Sequence, residues 1–157
     1  MSKKKSWIEK RDQDLEPEIK FGPDNWNAAH GGNKMLIATP SVIDETIKKI
    51  PAGRLMTMTG LRETLAADHG ADYTCPLTTG IFLRIAAEAA EEERSLGKTS
   101  PSPWWRVVRD DGAMNEKLPG HGPLQQQFLE EEGHRIVPKA RGTTLVVQDF
   151  EPLLIQA

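Results

Sequence analysis

The stretch Ser100-Pro101-Ser102-Pro103-Trp104-Trp105-Arg106-Val107-Val108-Arg109-Asp110-Asp111-Gly112 decides how the rest of this chain is read. Pro103 fixes the backbone ahead of two adjacent tryptophans, and as a proline it also biases Ser102 toward an extended conformation. Val107 and Val108 make a short apolar pair that reads as a brief strand, with Asp111-Gly112 as the turn that closes it. The spacing predicts a rigid lead-in that presents two large aromatics and an arginine at the mouth of a strand.

Upstream of this stretch the pattern is helical. A helix is predicted from a cap at Ser41, with Ile43, Ile47 and Ile50 at helical spacing and Pro51 as its end. A turn over Pro51-Ala52-Gly53-Arg54-Leu55 leads to a second helix over about 61–68, closed by Gly70. A third covers about 79–96, with Ile81, Phe82, Ile85, Ala86 and Ala89 on one face, and stops at Gly97. Thr78 and Thr79 read as its caps, and Arg84 and Glu88 are spaced to pair across one turn. Two helices joined by a loop holding Gly70 and Pro76 read as a helix-turn-helix type unit, with a loop longer than the tight form. Downstream, Pro123 opens a helix carrying Leu124, Phe128 and Leu129 and ending at Gly133. Ile136-Val137 and Leu145-Val146-Val147 then make a β-hairpin around Arg141-Gly142. The fold class is α+β: a winged-helix-like domain over 37–157 behind an N-terminal arm over 1–36. The arm is rich in charge, Pro, Gly and Asn, yet Trp7 and Trp26 predict that part of it packs on the domain.

Composition bounds the partners. The 157 residues suit one domain plus an extension, with 20 basic against 23 acidic residues and a net charge of −3. That balance gives no general attraction to nucleic acid, so a DNA contact needs a local patch. The single cysteine, Cys75, excludes an intramolecular disulfide and a Cys-rich zinc site. His30, His69, His121 and His134 lack metal-ligand spacing, so no metal and no cofactor is expected. No apolar run approaches a membrane span, and the basic Lys3-Lys4-Lys5 start has no apolar segment behind it. A monomeric, cytoplasmic protein follows.

Three blocks, in order, carry a resemblance. Ile50-Pro51-Ala52-Gly53-Arg54-Leu55-Met56-Thr57 comes first, then Pro103-Trp104-Trp105-Arg106-Val107-Val108 with Gly120-His121-Gly122, then Phe128-Leu129-Glu130-Glu131-Glu132-Gly133. They resemble the methylguanine-DNA methyltransferase family across roughly Ile37 to Phe150. In that family a winged helix binds the DNA minor groove, rotates the damaged guanine out of the stack, and passes its alkyl group to a cysteine. The resemblance puts Trp104 at the acceptor cysteine and Trp105 at the histidine that draws off its proton. An indole supplies neither function, so alkyl transfer is not expected and no catalytic residue is assigned. The family's tyrosine falls at Met58 and its stack-filling arginine at Gly80. Alkyltransferase-like proteins, a branch that also has tryptophan at the cysteine position, bind alkylated bases without repairing them and recruit excision repair. Their motif keeps the histidine and the arginine; this chain has neither.

The resemblance marks Trp104, Trp105, Arg106, Glu132 and Met58 as a pocket for a flat ligand such as a base. It marks Thr78, Thr79, Gly80 and Arg84 as the DNA-facing part of the third helix. Glu132, deprived of its imidazole, is expected to accept from the Trp105 indole N–H or from backbone. Glu91-Glu92-Glu93 would repel phosphate if the far end of that helix faced DNA. Cys75, with no histidine placed to assist it, reads as a small semi-buried residue rather than a nucleophile. Two functions stand. One is a non-enzymatic DNA-binding protein with a repair-protein partner. The other is a degenerate relative that holds a small molecule or partner protein without binding DNA.

Overall fold

The structure is a computed structural model that describes residues 4–99 and 101–155. Lys3 of the lysine run and the Ser100 that opens the Pro-Trp-Trp stretch lie outside the described residues. The fold is α+β, with six α-helices and three small sheets among the described residues.

The first helix expected from the pattern, α3 (Pro40–Ile47), starts two residues early. Its cap is Thr39 rather than Ser41: Thr39 Oγ1 accepts from the Val42 N–H at 3.2 Å, and Pro40 fills the first helical position. Pro40 needs no N–H there and its fixed φ suits the turn. Helix α4 (Met58–His69) likewise begins before Leu61, because Thr57 caps it by accepting from Gly60 N–H. Helix α5 (Pro76–Ser95) also starts early, with Pro76 at its first position. Thr78 and Thr79 therefore lie inside the helix and cap nothing. Thr79 is fully buried and its hydroxyl donates to the Cys75 carbonyl at 2.6 Å.

The inward face of α5 is Leu83, Ala87 and Ala90, packed on Ile43, Ile47, Leu61 and Leu65, and Ala86 is buried as well. Ile81, expected inside, is 53% exposed, and Leu77 one turn before it is 66% exposed. Arg84 does not pair with Glu88. Its guanidinium instead lies 5.5 Å from the centroid of the Trp7 ring.

The N-terminal extension is built into the domain. Helix α1 (Trp7–Arg11) packs along α5. Strand β1 (Glu18–Phe21) pairs antiparallel with β2 (Lys34–Ile37), which pairs parallel with β4 (Tyr73–Thr74). The boundary drawn at residue 37 thus falls within a strand, since Met35 and Leu36 are buried and their ladder runs to both neighbours. Helix α2 (Asp24–His30) brings Trp26 onto Met35, Tyr73 and Cys75.

Strand β5 (Val107–Val108) pairs parallel with β3 (Met56–Thr57). The turn after it closes with Gly112 N–H to the Arg109 carbonyl at 2.8 Å. Gly112 has φ +84°, and an added Cβ would sit 2.6 Å from the Phe150 ring, so glycine is required there on both counts. Helix α6 (Pro123–Glu131) follows, then the antiparallel hairpin of β6 (Ile136–Pro138) and β7 (Leu145–Val147). Among the described residues no helix is long and apolar enough to cross a membrane.

Candidate nucleic-acid interface

Trp104 and Trp105 do not stand on the strand. They form a 3-10 turn, Trp104–Arg106, that ends where β5 begins. Trp104 has no exposed surface and so lines no open pocket. Its ring meets Trp105 and Phe128 edge-on at 6.0 and 5.9 Å, and its N–H donates to Glu91 Oε2 at 2.9 Å. A large aromatic with one donor stays buried only if that donor is met, and Glu91 meets it.

Trp105 is half-buried, and its indole N–H donates to Glu132 Oε2 at 3.1 Å, the bond expected from the sequence. The larger partner is Arg106. Its Nε donates to both Glu132 oxygens at 3.0 and 3.1 Å, its Nη2 to Oε2 at 2.6 Å, and its Nη1 to the Ile50 carbonyl at 2.6 Å. Burial pushes the Glu132 carboxyl up, but the bonds from Arg106 and Trp105 outweigh it and hold the group below the usual carboxylate range. Trp104, Trp105, Arg106 and Glu132 are therefore a closed structural cluster in which every polar end is spoken for. Fully buried Gln125 fastens it, donating to the Trp105 and Val107 carbonyls and accepting from the Asn115 N–H.

Met58, the fifth residue of the expected pocket, lies elsewhere. It lines an open cavity of about 490 Å³ with Arg62, Gly80, Arg109, Asp110, Asp111, Asn115 and Lys117. A second groove of about 570 Å³ shares Gly80 and Lys117 with the first. It adds Leu77, Ile81, Arg84, Glu116 and His121. Of the expected DNA-facing residues, Gly80 and Arg84 line these grooves, while Thr79 is buried beneath them. The Thr78 hydroxyl is enclosed without a partner.

The carboxylates on this face are engaged within the protein. Asp110 accepts from the Thr59 N–H at 2.9 Å and hydroxyl at 2.7 Å, at the first turn of α4. Asp111 pairs with Lys139 at 2.8 Å, and that lysine holds its carboxyl below the usual range. Arg62, Arg84, Arg109 and Lys117 form no ion pair among the described residues. Glu116 and Asp110, whose Thr59 partners are neutral, are the acidic residues left beside them.

The acidic run at the other end of α5 is turned inward. Glu91 holds Trp104 and pairs with Arg94, Glu92 accepts from the Trp7 backbone N–H, and Glu93 pairs with Arg11 and Lys98. The groove end of α5 is thus basic, although the chain as a whole is acidic. Arg62, Arg109, Asn115 and Lys117 escape a sequence reading. They stand 55 positions apart from first to last, and the pairing of β3 with β5 is what collects them.

The histidines are dispersed: His30 stacks on Tyr73 at 4.5 Å and His69 Nδ1 meets the Leu65 carbonyl at 2.8 Å. His121 lines the second groove. His134 Nε2 is buried without a partner, and burial pulls that imidazole down.

No family model matches this chain, and no curated protein does. Among solved structures, S. pombe Atl1 in complex with damaged DNA containing O6-carboxymethylguanine is similar, with a TM-score of 0.51 and 18% identity. The match covers 75% of this chain and 94% of that one. The fold is that of an alkyltransferase-like protein. A second structure, S. pombe ATL in complex with DNA, has 16% identity and a TM-score of 0.45 at the same coverage. Within the alkyltransferase-like fold, this chain closes its Pro-Trp-Trp-Arg segment into the core and keeps its open space at Met58 and Gly80.

Proposed function

We propose that this chain is a non-enzymatic, alkyltransferase-like DNA-binding protein in the service of DNA repair. Helices α4 and α5 act as its helix-turn-helix and the β6–β7 hairpin as its wing. The observation that carries the reading is the set of four cations without ion-pair partners among the described residues, Arg62, Arg84, Arg109 and Lys117, around two joined grooves at the start of α5. Asp111 is committed to Lys139, so the four cations outnumber the two remaining acids, Asp110 and Glu116, and are available to phosphate. An everted base enters the 490 Å³ cavity beside Met58 and Asn115, since buried Trp104 offers no face to stack on. No thiol or hydroxyl side chain is among the residues that line that cavity, and the reading assigns it binding.

The test is binding of the full chain to duplexes with and without methylguanine across a salt series. Each phosphate neutralised contributes about −0.9 to the slope of log K against log salt, so three or four contacts predict a slope of about −3. Arg109→Ala and Lys117→Ala each flatten it by about one. Undetectable or salt-insensitive binding overturns the reading. A second reading, a small-molecule or partner-protein binder that has left DNA, is favoured by one feature. Gly80 has no side chain to hold open a vacated stack. In that case the cavity fills without any salt-dependent duplex binding.

A further inference from the structure

We infer that Leu77 and Ile81 are an apolar wedge that this protein inserts between base steps of duplex DNA. The inference rests on the DNA-binding reading and names the residues that would deform the duplex. Leu77 and Ile81 lie one turn apart on α5, so their side chains stand on the same face. Both are large, apolar and mostly exposed, at 66% and 53%. Exposed apolar residues that cluster rather than scatter mark an interaction surface.

The surroundings select the occupant. The pair lines the 570 Å³ groove whose charged rim is Arg84, Lys117 and the acid Glu116, and the adjoining cavity adds Arg62 and Arg109 beside Asp110 and the Lys139-paired Asp111. An apolar centre between cations suits a polyanion with a stacked apolar interior. Proteins that bind the minor groove use Leu and Ile side chains in this way, and recover the unstacking cost through contacts to the bent backbone. Gly80, between the two, has nothing within 4 Å of where its Cβ would be, so the duplex can approach the helix backbone closely. His121 sits on the opposite wall, held at φ +56° between Gly120 at +76° and Gly122 at +115°. Three successive positive φ values fix the loop that forms that wall.

The experiment compares wild type with Leu77→Ala, Ile81→Ala and the double variant, using duplexes that carry 2-aminopurine as a stacking reporter. Wild type should bind and raise the reporter's fluorescence as the step unstacks. Each single alanine should weaken binding by about tenfold or more, from lost apolar burial, with the salt slope unchanged because no cation is removed. The double variant should lose the fluorescence rise. Both residues are exposed, so the urea unfolding midpoint should stay at the wild-type value and separates a binding defect from misfolding. Leu77→Met should retain wild-type behaviour. If wild type binds with the predicted salt slope but the alanine variants bind equally well and unstack equally, the wedge is refuted and DNA binding stands. If wild type binds no duplex, both fall. If the chain instead self-associates and the double variant abolishes that, the pair is a docking surface between copies and the inference is refuted.

Discussion

Removing the Glu132 carboxylate by Glu132→Ala tests the claim that the Pro-Trp-Trp-Arg segment is a structural cluster and not an open site. Arg106 and Glu132 side chains are each 14% exposed, and the carboxylate takes four donor contacts from Arg106 and Trp105. The alanine leaves a largely buried guanidinium with the Ile50 carbonyl alone and an indole N–H with nothing. Breaking a buried pair costs about 3–5 kcal/mol, against about 0–1 kcal/mol for an exposed one. Residual water access at 14% exposure puts the expected loss near the lower bound, about 3 kcal/mol. Glu132→Gln keeps an acceptor for one donor and should lose roughly half as much. Replacing both partners, Arg106→Leu with Glu132→Leu, should cost less than the two single changes summed, because no lone charge is left buried. Urea unfolding followed by tryptophan fluorescence reads every one of these variants, since Trp105 reports on the cluster directly. A loss under about 1 kcal/mol for Glu132→Ala would show that the pair is solvated and that the segment is open after all.

Gly80→Ala should stabilise the protein by about 0.5–1 kcal/mol, since its helix site has room for a Cβ; a loss of stability in thermal melts would contradict that space. Gly80→Arg should raise duplex affinity by adding a cation and an inserting side chain at the groove floor, and unchanged affinity in a titration would remove α5 from the interface. Trp104→Cys should restore no alkyl transfer from methylguanine duplexes, because Trp105 supplies no base and Glu132 is held by Arg106. The same change empties a core site at a cost of about 3–5 kcal/mol by analogy with Trp→Ala, visible as a lower urea midpoint. Stability should fall on acidification in two windows. His134 has a folded pKa below its ordinary 6.5, so the unfolded chain binds a proton first and stability is lost as pH drops from 6.5. Glu132 has a folded pKa below its ordinary 4.5, so its contribution is present above 4.5 and lost as pH falls through the folded value. His134→Gln should flatten the upper window alone, and an unchanged profile between pH 6.5 and 4.5 would reject its role.

Much of the fold was legible because its punctuation is local. Pro51, Gly70, Pro123, Gly112 and Gly133 stop or start elements through their own φ preferences, and the apolar spacing of Ile43, Ile47 and Ile50 needs no partner to be read. The bond from Trp105 to Glu132 followed from the cost of an unpaired buried carboxylate once the family resemblance set the two residues side by side. Caps were less legible, since Ser41 is by residue type the better cap and only the observed chain path selects Thr39.

The sequence by itself determined helices α3 to α6 to within a few residues and the closing hairpin, which rest on residue identity and short-range spacing, while α1, α2 and the β1–β2–β4 sheet went unread. The tertiary structure decided where the open space lies. Strand β3 beside β5 gathers Met58, Arg62, Gly80, Arg109 and Lys117 into one cavity, and α1 beside α5 occupies Glu92 and Glu93. It also turned Trp104 inward, because Glu91, 13 positions upstream on α5, lies within reach of its N–H. Net charge is a sum over the chain, whereas a phosphate meets only the charges on one face. Which carboxylates are spent on internal partners is a property of packing, and it makes one face of an acidic protein basic.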